Sequence, residues 1–449
     1  MTTHRAISSD THSVRTPRLA LLPAPRIEPR IEARLEPRIQ TTGRPRPRAA
    51  LVTVPLFKSY WMGGFEGADH LGTPDFPLSM CDLTQHREHA AADYARLAEL
   101  GMRTVRESAG WRVIDRRGKL DFSPLKSRAR AASMQRMQIV WTLFHSGWPA
   151  DLDVFSAAFI DRFARYAGAA AAYLGEHAYG ARVYAPINEI SFLAWSAATR
   201  NHAALYRSEI AGRAAEFKCQ LVRAAIAACE AILDVDPRAR FIHTDPLVHV
   251  VADRAESVAQ AHALCESQFE AWDMLSGRSS PQLGGKSRYL DIVGVNYFWN
   301  SQWEVSSGRP LGWQLDDPRR VALAELLRKV HQRYQRPLVI AETSHSGVRR
   351  ANWLREVASE VATARRHGAE IEAVCLSPVL DCPDSNNLAQ WHDCGLWHLE
   401  RDADGVLRRR LNKSYAAELA KVQHEHRAAF NPVLRFNYAT NYAARHALL

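Results

Sequence analysis

The chain has 449 residues, 47% of them hydrophobic, which is enough to fill one large core. Its formal charge of +10 is unevenly placed: residues 1–50 hold ten arginines against Asp10, Glu28, Glu32 and Glu36, so a basic surface suited to nucleic acid is not indicated for the rest. No run of about 18 apolar residues and no apolar segment before a cleavage site is present, which argues against a membrane span and against secretion by a standard signal. The seven cysteines (81, 219, 229, 265, 375, 382 and 394) are odd in number and scattered, as expected of reduced thiols in a cytoplasmic protein.

Residues 1–50 also carry seven prolines and a period-four repeat that begins Arg26-Ile27-Glu28-Pro29. Proline removes the amide that a helix needs, and nothing here alternates as a strand does, so this stretch is expected to be a disordered basic tail outside the fold. Residues 51–449 are expected to form one catalytic domain.

From residue 51 onward, strand-like and helix-like segments alternate eight times. The strand candidates fall near 57–65, 103–107, 138–143, 182–187, 239–243, 290–296, 337–341 and 371–379. Between them the helical patterns cover 86–100, 124–136, 156–177, 209–233, 255–274, 318–334, 350–366 and 413–428. Eight βα units over about 380 residues predict an α/β fold, the (β/α)8 barrel, with a doubly wound sheet as the alternative. Polar residues gather after nearly every strand, and in such barrels the chemistry sits at the carboxyl ends of the strands.

Two of these strand ends stand out. The run Val183-Tyr184-Ala185-Pro186-Ile187 leads into Asn188-Glu189, and Pro337-Leu338-Val339-Ile340-Ala341 leads into Glu342. Two carboxylates facing one another across a sugar are the apparatus of glycoside hydrolysis. The other strand ends offer Glu66 and Asp69, Arg106 and Glu107, His145, His243 and Asp245, Asn296 and Tyr297, and Asp381 with Trp391 beyond it. Several have structural alternatives: Arg106 could pair with Glu107 or Asp69, and Tyr297 could be a core residue. Trp61, Trp111, Trp148, Trp195 and Trp299 are candidate platforms for sugar rings, although most tryptophans belong to the core. A zinc site from Cys375, Cys382, Cys394 and His392 lacks the usual C-x-x-C spacing, so no metal and no organic cofactor is expected.

Four segments in order, Thr142-Leu143-Phe144-His145, Pro186-Ile187-Asn188-Glu189, Asp291-Ile292-Val293-Gly294-Val295-Asn296-Tyr297 and Ile340-Ala341-Glu342-Thr343, resemble clan A glycoside hydrolases, specifically the family 1 β-glucosidase and β-galactosidase type. The resemblance covers residues 56–428. It implies a retaining hydrolase of β-linked O-glycosides, with Glu189 as acid/base, Glu342 as nucleophile, and Arg106 and Tyr297 holding the nucleophile. Substrate contacts would come from Glu66, His145, Asn188, Asp381 and Trp391. An arginine beside Glu342 would stabilise its charge for attack, whereas Glu189 needs a less polar pocket to stay protonated.

Glu66 and Ser146 stand where the family usually has glutamine and tryptophan, and the family's Trp and Glu sugar-reading segment after strand eight is replaced by Pro378-Val379-Leu380-Asp381-Cys382-Pro383-Asp384. The expected partner is therefore a carbohydrate or glycoside that need not be a simple β-glucoside. Nucleic acid is not expected as a partner. A transglycosylase on the same machinery, a non-catalytic carbohydrate-binding barrel and a barrel whose paired acids bind a metal are the alternatives.

Overall fold

A computed structural model describes residues 55–69, 78–199, 205–315 and 317–430. The basic tail, residues 1–50, lies outside the described residues. Eight parallel strands close into a barrel: β1 (Trp61–Gly64), β2 (Thr104–Ser108), β3 (Gln138–Phe144), β4 (Val183–Ile187), β5 (Arg240–Pro246), β6 (Ile292–Asn296), β7 (Leu338–Thr343) and β8 (Ile371–Leu376). They neighbour one another in chain order, and β8 returns to β1 through the pairs Trp61–Val374, Met62–Cys375 and Gly63–Leu376. That closure rules out the doubly wound sheet.

The helices wrap the outside: α1 (His86–Glu99), α2 (Lys126–Met134), α3 (Ala157–Gly175), α4 (Ile190–Ala198), α5 (Ala214–Val235), α6 (Val258–Ser267), α7 (Glu270–Ser276), α8 (Leu323–Tyr334), α9 (Arg350–Arg366) and α10 (Lys413–Phe430). The alanine-rich faces of α3 and α5 allow close approach, and a Cβ on Gly168 would stand 3.1 Å from the Ala231 carbonyl oxygen. None of the described helices is long and apolar enough to cross a membrane.

Side-chain alternation along the strands divides the core in two. Inside the barrel, Met62, Val140, Val183, Ile242, Val339 and Cys375 pack together over Phe57. The outward residues meet the helices in two larger clusters. Residues 57–60, expected to belong to the first strand, are irregular, and the strand proper begins at Trp61.

The same alternation separates Arg106 from Glu107 on β2. Arg106 points into the barrel toward Glu342, while Glu107 accepts hydrogen bonds from His86 at 2.7 Å, Tyr94 at 2.6 Å and Arg128 at 2.7 Å on the helix side. Burial alone would raise the Glu107 pKa, but the charges of His86 and Arg128 and the bonds from His86 and Tyr94 hold it down at about 2.

Candidate active site

At the carboxyl ends of the strands lies a cleft of about 270 Å³, lined by Glu66, His145, Asn188, Glu189, Glu342 and the loop 382–385, among others. It therefore unites five of the nine residues expected from sequence. A sixth, Arg106, lies beneath it and organises the floor. Its Nη1 donates to Glu342 Oε1 at 2.8 Å and to the Ala341 carbonyl at 2.9 Å, and its Nη2 donates to Asn188 Oδ1 at 3.0 Å and Thr142 Oγ1 at 3.2 Å. Asn188 Oδ1 also accepts from Thr244 Oγ1 at 2.7 Å, and its Nδ2 lies 3.2 Å from His145 Nε2. One buried guanidinium thus fixes β2, β3, β4 and β7 relative to one another.

Glu189 is delivered differently. Its backbone adopts a left-handed conformation, φ 48° and ψ 60°, which is costly for a residue with a Cβ. The Glu189 amide donates to the Thr244 carbonyl at 3.0 Å, and its own carbonyl accepts from Leu193 at 2.8 Å as α4 begins. These bonds hold the strained turn and aim the side chain into the cleft, where Asn296 Nδ2 donates to Glu189 Oε1 at 2.8 Å.

The two carboxyl groups have unlike surroundings. Glu189 opens onto the cleft and keeps some surface, yet protein crowds its carboxyl. Burial first, and the negative charge of Glu342 second, push its pKa well above the ordinary value, against the opposing pull of Asn296 and Arg106. Glu342 instead has Arg106 in direct contact. The surroundings of Glu189 thus favour its protonated form.

Four expectations are placed elsewhere. Tyr297 follows Asn296, so when Asn296 faces the cleft Tyr297 must face outward. Its hydroxyl accepts from Gln302 at 2.8 Å and Arg320 at 3.2 Å, its ring stacks on Trp353, and only its backbone amide reaches Glu342, at the carbonyl oxygen. Asp381 accepts from the Gly395 amide at 2.9 Å and lies 3.0 Å from His398 and 3.7 Å from Arg350, tying down the loop after β8. Trp391 pairs with Pro383 in a short hairpin and is exposed, whereas its neighbour His392 lines the cleft, 3.1 Å from Asp384. Of the candidate platforms, Trp61, Trp111 and Trp148 are core residues, and the apolar cleft wall is formed by Phe192, Leu193 and Leu205.

Sequence reasoning named Asn296 at a strand end without giving it a role, and named Asp384 and His392 without placing them in the cleft. Asn296 was reachable, since it continues the inward positions of β6. Asp384 and His392 meet only through the hairpin and had no signal. The imagined zinc set does not assemble as such: Cys382 and Cys394 have sulfurs 3.8 Å apart, while Cys375 lies inside the barrel. A different trio, Asp381, Asp393 and His398, gathers its ligand atoms within 4.8 Å, but Arg350 and the Gly395 amide already serve Asp381 there.

Asp245 supports Glu189 from behind by accepting the Ser191 amide at 3.1 and 3.3 Å. Burial raises its pKa from 3.8 to about 7, outweighing its hydrogen bonds and Lys218. The folded form therefore binds a proton that the unfolded form releases, so the contribution to stability is full at acidic pH and is lost as pH rises from about 4 to about 7. Asp245→Asn keeps an acceptor oxygen without the charge. It is expected to unfold at higher urea than wild type at pH 8, by about 4 kcal/mol at most, and to differ little at pH 4. Equal midpoints at pH 8 would contradict the assigned protonation.

No protein-family model matches the chain, and no curated protein matches it in sequence. Solved structures do match. A family 1 β-glucosidase from Thermotoga maritima superposes with a TM-score of 0.61 at 14% identity, over 76% of this chain and 87% of its own. A hyperthermophilic β-glucosidase from Pyrococcus furiosus gives 0.62 at 14% identity, over 85% of this chain and 100% of its own. An enzyme called AHE from Alicyclobacillus herbarius gives 0.61 at 16% identity, over 76% and 88%. The chain shares their fold.

Proposed function

We propose that the protein is a retaining hydrolase of β-linked O-glycosides that works by double displacement, with Glu342 as nucleophile and Glu189 as acid/base. The observation that carries this reading is one cleft holding two carboxyl groups with opposite environments, Glu342 against Arg106 and Glu189 crowded by protein that pushes its pKa up. The shared fold with β-glucosidases supports it. The seven free thiols favour the cytoplasm as its place of work.

In the first step Glu342 attacks the anomeric carbon while Glu189 protonates the departing oxygen. A glycosyl ester on Glu342 results, and the negative charge that raised the Glu189 pKa is consumed. Glu189 then ionises more readily and takes a proton from water, which attacks the same carbon from the face the leaving group vacated as the ester bond breaks and Glu342 leaves as a carboxylate. In this reading Asn188, held by Arg106 and Thr244, bonds the sugar 2-hydroxyl. His145, Glu66 and the Asp384–His392 pair line the cleft for the remaining hydroxyls.

Proton NMR of the first product from nitrophenyl β-glycosides tests the stereochemistry. Two inversions should give the β-anomer first, and an α-anomer would rule out the nucleophilic role of Glu342. The rate should also fall on the alkaline side as Glu189 loses its proton, with a limb well above the ordinary carboxylate range.

A further inference from the structure

The loop after β8 folds back on itself in a short hairpin, where Cys382 pairs with His392 and Pro383 with Trp391. Cys394 stands two residues beyond His392, and its sulfur lies 3.8 Å from that of Cys382. Main-chain bonds on either side hold the two together. Asp381 Oδ1 accepts the Gly395 amide at 2.9 Å, the Asp381 amide donates to the Trp397 carbonyl at 3.1 Å, and the Cys394 amide donates to the His392 carbonyl at 3.0 Å. A Cβ on Gly395 would meet the Asp381 amide nitrogen at 2.6 Å, so the two arms already touch backbone to backbone. Sulfurs in a disulfide are about 2.0 Å apart, so bonding this pair takes a movement of only about 1.8 Å.

We infer that Cys382 and Cys394 are a redox-sensitive dithiol, oxidised by a small peroxide to a disulfide that clips the base of the loop walling the cleft. Cys382 lines the cleft together with Asp384, Ser385 and His392, whereas Cys394 does not, so Cys382 meets the oxidant first and Cys394 resolves it. The Cys382 sulfur attacks a peroxide oxygen, the O–O bond breaks, and one water departs with the thiol proton, leaving a sulfenic acid. The Cys394 sulfur then attacks that of Cys382. The S–S bond forms as the S–O bond breaks, and hydroxide leaves with the Cys394 proton as a second water, so two thiols have given two electrons to one hydrogen peroxide. The hydrogen bond with Cys394, and then burial, hold the Cys382 thiol well above its ordinary pKa. Thiolate is therefore scarce at neutral pH, and the pair answers sustained oxidant over minutes to hours rather than a brief pulse. In the thiol form the loop depends on bonds such as Asp384 N to the Gln390 carbonyl at 2.8 Å, while residues 386–391 are exposed. A cross-link at its base removes open conformations and steadies Asp384 and His392 on the cleft wall.

Nothing in this chemistry depends on the hydrolase reading, so the test measures covalent state and loop opening rather than turnover. The full chain, reduced and freed of reductant, is held in millimolar hydrogen peroxide and then quenched. The seven free thiols should fall by two, and digestion should yield a peptide pair joined through Cys382 and Cys394 that dithiothreitol separates. Amide exchange across residues 384–392, followed by mass spectrometry, should slow by about tenfold or more in the oxidised chain. Cys394→Ser should stop at the Cys382 sulfenic acid, trapped by dimedone, with exchange at the reduced rate. The wild-type peptide map needs no variant, so it decides the matter even where Cys394→Ser does not fold. Peroxide that leaves Cys382 unmodified, or carries it to the sulfinic acid with Cys394 still free, would overturn the proposal. So would a cross-link that leaves exchange across the loop unchanged.

Discussion

Replacing Glu342 by alanine will lower turnover of aryl β-glycosides by several powers of ten whatever the leaving group, because among the described cleft residues no other carboxylate is hydrogen-bonded to Arg106 for attack on the anomeric carbon. Azide, small enough to enter the vacated space, should restore part of the rate and give the α-glycosyl azide. Glu189→Ala will behave differently. A phenol that leaves readily needs little protonation, so glycosylation of Glu342 should continue while deglycosylation stalls and the covalent intermediate accumulates, visible as a mass increase on Glu342. Azide there should yield the β-glycosyl azide. The alkaline limb of the wild-type rate, set by the raised Glu189 pKa, should vanish from this variant. Identical behaviour of the two variants on activated substrates would remove the roles assigned here.

The second large effect is on folding. Glu107 is buried among His86, Tyr94 and Arg128, and the network continues from His86 to Asp93 at 2.9 Å and from Asp93 to Arg409 at 3.0 Å. Glu107→Leu leaves Arg128 buried without its counter-charge and His86 with Asp93 alone, a change expected to cost about 3–5 kcal/mol. Urea unfolding at pH 7 measures it. The pH dependence supplies the control. The wild-type Glu107 pKa is depressed to about 2, so its stabilisation is present above the ordinary carboxylate range and is lost as pH falls from about 4.5 toward 2. The gap between wild type and Glu107→Leu should therefore narrow in acid. A substitution that costs under about 1 kcal/mol at pH 7 would show that the network contributes nothing beyond its own desolvation.

The amino-acid sequence by itself determined the number and order of the eight βα units, because hydrophobic periodicity and helix patterning are local properties. It also determined that Glu189 and Glu342 end strands four and seven, and a closed parallel barrel puts all such ends on one face. From there the four inward residues Arg106, Asn188, Glu189 and Glu342 could be placed together.

What only the tertiary structure decided is which neighbour each side chain meets. Arg106 and Glu107 are adjacent in sequence and were open to pairing, yet β-strand alternation sends one to Glu342 inside the barrel and the other to Arg128 outside it. The same period of two turns Tyr297 away from the nucleophile and gives Asn296 to Glu189. The loop after β8 carries no period at all. Asp381 was named for the cleft and instead binds the Gly395 amide and His398, while Asp384 and His392 reach the cleft only because Cys382 pairs with His392 in a hairpin. Long-range pairing fixes that loop, and no spacing within it encodes the outcome.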